Sequence, residues 1–143
     1  MAEPTTSDQL RVRLVSPERV LFDTTANAVE LPAKNGYMEV LYGHAPLLAE
    51  LGAGDVRLHG APDLGDQVYN VSWGFVEVLP DRVTILANDA LKPEEIDVQR
   101  AQQQLDRGQK EWHDAGDSEE KYTAALHRIE EAEAKLATAE EKH

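Results

Sequence analysis

Leu10, Val12 and Leu14 alternate with Arg11 and Arg13, a period of two that predicts a half-buried strand with its arginines in water. Ser16-Pro17-Glu18 predicts a turn, Val20-Leu21-Phe22 a short strand, and Ala28-Val29-Glu30-Leu31-Pro32 a further β run stopped by its proline. Asn35-Gly36 is the strongest local hairpin signal in the chain, because both residues tolerate positive φ. It launches an alternating strand that ends in the turn around Gly43-His44, and Pro46 then bars a central ladder position before a new apolar run begins at Leu47. Residues 47–51 and 56–59 read as two short strands around Gly52-Ala53-Gly54-Asp55, and residues 60–66 as a polar hairpin loop rich in Gly and Pro. Strands over 68–72, 75–79 and 82–87 complete the series, with Trp73-Gly74 and Pro80-Asp81 between them. Eight to ten strands of four to six residues predict an all-β sandwich, a flattened barrel. No pattern of helical length interrupts them, which argues against a βαβ domain.

The period changes near residue 90. Asn88-Asp89 predicts a cap or turn, and Pro93 suits a first helical position, where its missing N–H needs no partner. Glu94, Glu95 and Asp97 put negative charge in the first turn, where the helix dipole favours it. Val98, Ala101, Leu105, Gly108 and Trp112 form one apolar stripe at helical spacing. Residues 114–118 break it, and Tyr122, Leu126, Ile129, Ala132 or Glu133, and Leu136 form a second stripe. Two amphipathic helices joined by a short polar turn predict an antiparallel hairpin. The domains expected are therefore a flexible tail over 1–9, a sandwich over 10–90 and a helical hairpin over 91–143. The stripes are narrow and rich in alanine, so the hairpin stabilises itself weakly. It has three expected resting places: against the sheet, alone, or along another protein.

Charge and composition narrow the function. The formal charge of −13 over 143 residues is shared, with 6 basic against 13 acidic residues up to position 90, and 8 against 14 beyond it. Such a surface repels a phosphate backbone and anionic lipid, so no nucleic-acid partner is expected. No run approaches the roughly 18–20 apolar residues that span a bilayer, and the first nine residues lack the basic and apolar regions of a secretory signal. The expectation is no direct membrane insertion, with any membrane association made through a partner.

Candidate chemistry is sparse. There is no cysteine, and the five histidines (44, 59, 113, 127 and 143) form no His-x-His or His-x-x-x-His pair, so no metal site is expected. Ser72 lacks a nucleophile elbow, there is no Walker-type loop, and no carboxylate pair stands out by its spacing. His44 is expected to be a turn residue whose ring bonds to backbone or to a partner. Trp112, ending its stripe, is a candidate for docking the hairpin against the sheet. No catalytic residue is assigned. A generic adaptor with a docking hairpin and, further off, a small autonomous sandwich enzyme are the competing readings.

One family matches these pieces in order. Residues 14–22 resemble its first hairpin. Gly36-Tyr37-Met38-Glu39-Val40-Leu41-Tyr42-Gly43-His44-Ala45-Pro46-Leu47-Leu48 resembles its Gly-x-Leu-Gly-Ile-x-Pro-Gly-His-Ala-Pro-Leu stretch, residues 70–78 its Ser-Gly-Gly-x-x-Glu-Val stretch, and residues 83–87 its closing strand. The family is the epsilon subunit of the F-type ATP synthase. Glu39, Tyr42 and Trp73 depart from its usual Gly, Pro and Gly, and Tyr37 stands where some members carry an acidic residue. The resemblance implies a non-catalytic subunit of the central stalk on the cytoplasmic face of a bacterial plasma membrane, the thylakoid stromal face being the other possibility. It implies gamma subunit and c-ring partners for the sandwich, and alpha and beta subunits, which carry catalysis, as partners of an inhibitory hairpin. It also implies a ring-facing surface that includes Asn35, Gly36, Tyr37, Gly43 and His44. Some members bind ATP on the hairpin through a motif similar to Ile96, Asp97, Arg100, Ala101 and Arg107. No cofactor is required by this reading, and ATP is at most a regulatory ligand. Arg100 and Arg107 also read as solvated helix arginines near Asp97, Asp106 and Glu111.

Overall fold

The computed structural model describes residues 9–141; the first eight residues of the expected tail, and His143, lie outside the described residues. The chain divides into two compact units between Leu91 and Lys92.

The first unit is one hydrogen-bonded sheet of seven strands: β1 (Leu10–Val15), β2 (Val20–Ala26), β3 (Ala28–Ala33), β4 (Gly36–Leu41), β5 (Leu47–Ala61), β6 (Gly65–Leu79) and β7 (Arg82–Leu91). Their spatial order is β2-β1-β7-β6-β5-β3-β4. All neighbours are antiparallel except β1 and β7, which run parallel. β2 touches β5 although three strands separate them in the ladder, so the sheet curls over its own inner face as a sandwich.

The strand count is lower than the eight to ten expected, because β5 and β6 are each 15 residues long. The glycines at 52 and 54 mark close packing rather than a turn. A Cβ on Gly54 would meet the Tyr37 hydroxyl and stand 3.0 Å from Pro32 Cβ. β6 likewise passes through Trp73-Gly74 without breaking. Trp73 takes φ 60° and Gly74 φ 130°, and the ladder to β7 continues from Ser72–Asp89 to Gly74–Ala87. A Cβ at Gly74 would collide with the Leu86 carbonyl oxygen, so glycine alone fits this bend. β7 also runs past the cap or turn expected at Asn88-Asp89: both residues lie within the strand, and Asp89 pairs with Ser72 of β6.

The core follows the alternation. Leu10, Val12 and Leu14 are fully buried beside Val29, Leu31, Val40, Val56, Leu58, Val76, Val78 and Ile85, each worth about 1.5–3 kcal/mol of transfer free energy. Phe22 of β2 and Tyr69 of β6 pack with ring centroids 5.1 Å apart. On the wet side Arg11 donates to Asp23 Oδ1 through Nε (3.1 Å) and Nη2 (2.9 Å).

The second unit is a short 3-10 turn (Pro93–Glu95), α1 (Val98–Asp114) and α2 (Glu119–Glu141). Pro93 opens the 3-10 turn rather than the long helix, and Asp97 caps α1 by accepting from the Arg100 N–H at 3.0 Å. Ser118 Oγ accepts from the Lys121 N–H at 3.3 Å before α2. The seam between the helices is built from small residues. Ala101, Gly108, Ala125 and Ala132 are buried, whereas Val98 and Leu126 of the expected stripes are exposed. Trp112 meets Tyr122 of α2 edge-on at 4.8 Å.

Candidate interaction surfaces

β4 separates the residues expected to form one surface. Its leading turn is centred on Lys34-Asn35, one residue earlier than Asn35-Gly36 suggests, with Gly36 already paired to Ala33. Tyr37 is 58% exposed, yet its hydroxyl accepts from the buried Asp55 N–H at 2.9 Å, which ties the turn to β5. Gly43 and His44 lie at the other end of β4, about 17 Å away for five extended steps. There the His44 N–H donates to the Leu41 carbonyl at 3.2 Å, and Gly43 takes φ 92°, closing a turn that needs positive φ at its third position. The Gly43 N–H reaches the Pro80 carbonyl at 2.6 Å, and His44 Nδ1 lies 2.7 Å from the Ala45 carbonyl. The ring therefore bonds to backbone and stiffens the tip.

That tip is apolar and open. Leu41, Tyr42, Ala45, Pro46, Leu47 and Leu48 are all exposed, Leu48 at 71%. It continues onto the outer face of the sheet, where Phe75 and Leu86 are direct cross-strand partners, each 52% exposed. Leu48 stands opposite Glu77, two residues along β6 from Phe75, so Leu48, Phe75 and Leu86 share one face. Val15, opposite Leu86 on β1, extends this row. Glu50 opposite Phe75 and Glu77 opposite Leu48 border this row, and large apolar side chains on a water-facing surface make it a candidate contact face. Sequence reasoning missed Phe75 and Leu86 as surface residues. The signal was present: Val76, Val78, Val83, Ile85 and Ala87 take the inward parity, which leaves Phe75 and Leu86 apolar at outward positions.

On the hairpin, the five residues expected around ATP do not form one open cluster. Ile96 and Ala101 are buried, and Asp97 is occupied as a cap. Arg100 and Arg107 are exposed, seven residues apart and so on one face of α1. Neither guanidinium makes an ion pair among the described residues. Arg128 of α2 is held 2.9 Å from Glu111 Oε1, in charge contact without an aligned hydrogen bond. A separate open groove of about 430 Å³ lies between the helices, lined by Trp112, Leu126 and Ile129 with Gln109, Lys110 and His113. No described helix is long and apolar enough to cross a membrane.

The family model described as "ATP synthase, Delta/Epsilon chain, beta-sandwich domain" matches residues 9–93. The ATP synthase epsilon chain of Solibacter usitatus is 40% identical over 138 residues, covering 94% of this chain and 98% of that one. That of Koribacter versatilis is 40% identical over 112 residues, covering 77% of this chain and 76% of that one. Among solved structures, a chain of the Euglena gracilis mitochondrial ATP synthase (OSCP, F1 and c-ring) superposes with TM-score 0.76 at 20% identity, over 95% of this chain and 84% of that one. At that identity the likeness shows the fold.

Proposed function

This chain belongs to the ATP synthase epsilon-chain family, and from that premise we propose that it works in the central stalk, coupling rotation of a membrane ring to the catalytic head. The observation that carries this reading is the 40% identity over 94% of the chain, spanning sheet unit and hairpin alike. The exposed row of Leu48, Phe75 and Leu86 and the apolar tip over 41–48 are the surfaces available for the gamma subunit and the c-ring. Exposed leucine and phenylalanine gain free energy only by being covered, and an acidic surface around them favours a basic partner. The chain supplies no catalytic residues in this reading; catalysis belongs to the beta subunits, and the membrane is reached through the ring. We place it on the cytoplasmic face of a bacterial plasma membrane.

The hairpin is the regulatory part of the proposal. Its seam of alanine and glycine buries little apolar area per turn. Opening it is correspondingly cheap, and the extended helices would reach the alpha and beta subunits and restrain hydrolysis. ATP is proposed as a ligand of the closed hairpin because Arg100 and Arg107 offer two guanidinium forks on one exposed face. The test is to reconstitute the cognate F1 assembly with the full chain or with a chain ending at Leu91, which keeps the whole sheet core. The shortened chain should bind equally and hydrolyse ATP faster. Equal hydrolysis rates would remove the inhibitory role and leave the stalk role standing.

A further inference from the structure

The sheet register gathers three metal-binding side chains that the sequence keeps 9 and 20 positions apart. Glu30 of β3 stands directly opposite Glu39 of β4. On its other side β3 pairs with β5, Ala28 opposite His59 and Glu30 opposite Arg57, so His59 is a diagonal neighbour of Glu30. His59 Nε2 lies 2.7 Å from Glu30 Oε1, and one donor atom from each of the three residues lies within 4.8 Å of the other two. All three side chains reach solvent, with His59 and Glu30 at 37% and 36% side-chain exposure and Glu39 exposed.

Two features separate this trio from an ordinary acidic patch. One is the like-charge pairing itself, since two carboxylates directly opposite on adjacent strands repel each other and Arg57 is already engaged with Asp55 at 3.3 Å. The other is the imidazole: a nitrogen donor beside two carboxylates, all on paired strands with little freedom to scatter. We propose that Glu30, Glu39 and His59 form a divalent-cation site of the zinc class. Bonds of about 2.0–2.2 Å would bring the ligand atoms to about 3.3 Å from one another, so Glu30 and His59 part slightly and Glu39 closes in by a rotamer change. Water supplies the fourth ligand. One nitrogen and two oxygen donors favour zinc, cobalt or nickel over magnesium or calcium. The ion would cancel the carboxylate repulsion and clamp the edge strand β4 to β3 and β5.

The test is calorimetric titration of ZnCl2 into the full chain at neutral pH, repeated for His59→Gln, Glu39→Gln and His44→Gln. The structure predicts one ion per chain, affinity lowered about tenfold or more by His59→Gln and by Glu39→Gln, and no change for His44→Gln. Bound Co2+ should show visible absorption in the parent protein and lose it in His59→Gln. No uptake by the parent protein, unchanged affinity in His59→Gln, or equal affinity for Mg2+ would each overturn the proposal. Thermal melts of the metal-free variants guard against misreading: a variant that melts like the parent has lost ligands, not its fold.

Discussion

Single residues decide where this sheet bends and where it is open. Gly74 stands at φ 130° against the Leu86 carbonyl, so Gly74→Ala combines backbone strain with a collision. Its expected cost is about 2–4 kcal/mol, read as a lower urea midpoint at unchanged m-value. Trp73, at φ 60° beside it, carries backbone strain of its own. Phe75 and Leu86 show the converse, since each is 52% exposed and their cross-strand contact contributes only about 0.2–1 kcal/mol. Phe75→Ser with Leu86→Ser should leave the melting temperature within a few degrees of the parent. A large drop would place these side chains in a core rather than on a binding face. Much of this was legible in sequence. His44 was legible as a turn residue, and of its two expected partners, backbone or another protein, the ring meets backbone, 2.7 Å from the Ala45 carbonyl, whereas the trio of Glu30, Glu39 and His59 arises only from register, which no local spacing encodes.

At the scale of elements, alternation specified the strands and glycine misled their boundaries. β1 is read correctly because Leu10, Val12 and Leu14 alternate with arginines. β5 and β6 were divided because glycine is the common mark of a turn, while here Gly54 admits Tyr37 and Gly74 admits β7. The helices were visible as elements, and the break read over residues 114–118 falls where α1 ends and α2 begins. The stripe positions drifted toward alanine because a close helix seam selects small residues over leucine. Two changes probe that hairpin. Asp97→Ala removes the α1 cap and should cost about 1 kcal/mol, seen as lost helical ellipticity at a lower temperature. Gly108→Leu should separate the helices, because even a Cβ there lies 2.8 Å from Ile129 Cγ1. Its effect should appear in the hairpin amides by hydrogen exchange and leave the sheet amides protected.

The whole molecule is two compact units of different build, one a sheet with its own core and an apolar outer row, the other a hairpin with a thin seam. The ordered motifs made the family legible before any coordinates, because four matches in sequence order constrain a short chain far more than one. The ring-facing surface was less legible, since β4 puts Tyr37 and His44 at opposite ends. Only the folded sheet shows a second exposed apolar patch, Leu48, Phe75 and Leu86, bordered by Glu50 and Glu77. ATP titration into the full chain, compared with Arg100→Ala and Arg107→Ala, examines the hairpin: binding should weaken in both variants, and equal binding would locate any ATP site elsewhere. The most direct measurement for the account as a whole is size-exclusion chromatography of the full chain with its cognate gamma subunit. The account predicts a stoichiometric complex at micromolar concentration that Phe75→Asp with Leu86→Asp abolishes; separate elution of the parent chain, or a complex indifferent to those two charges, would contradict it.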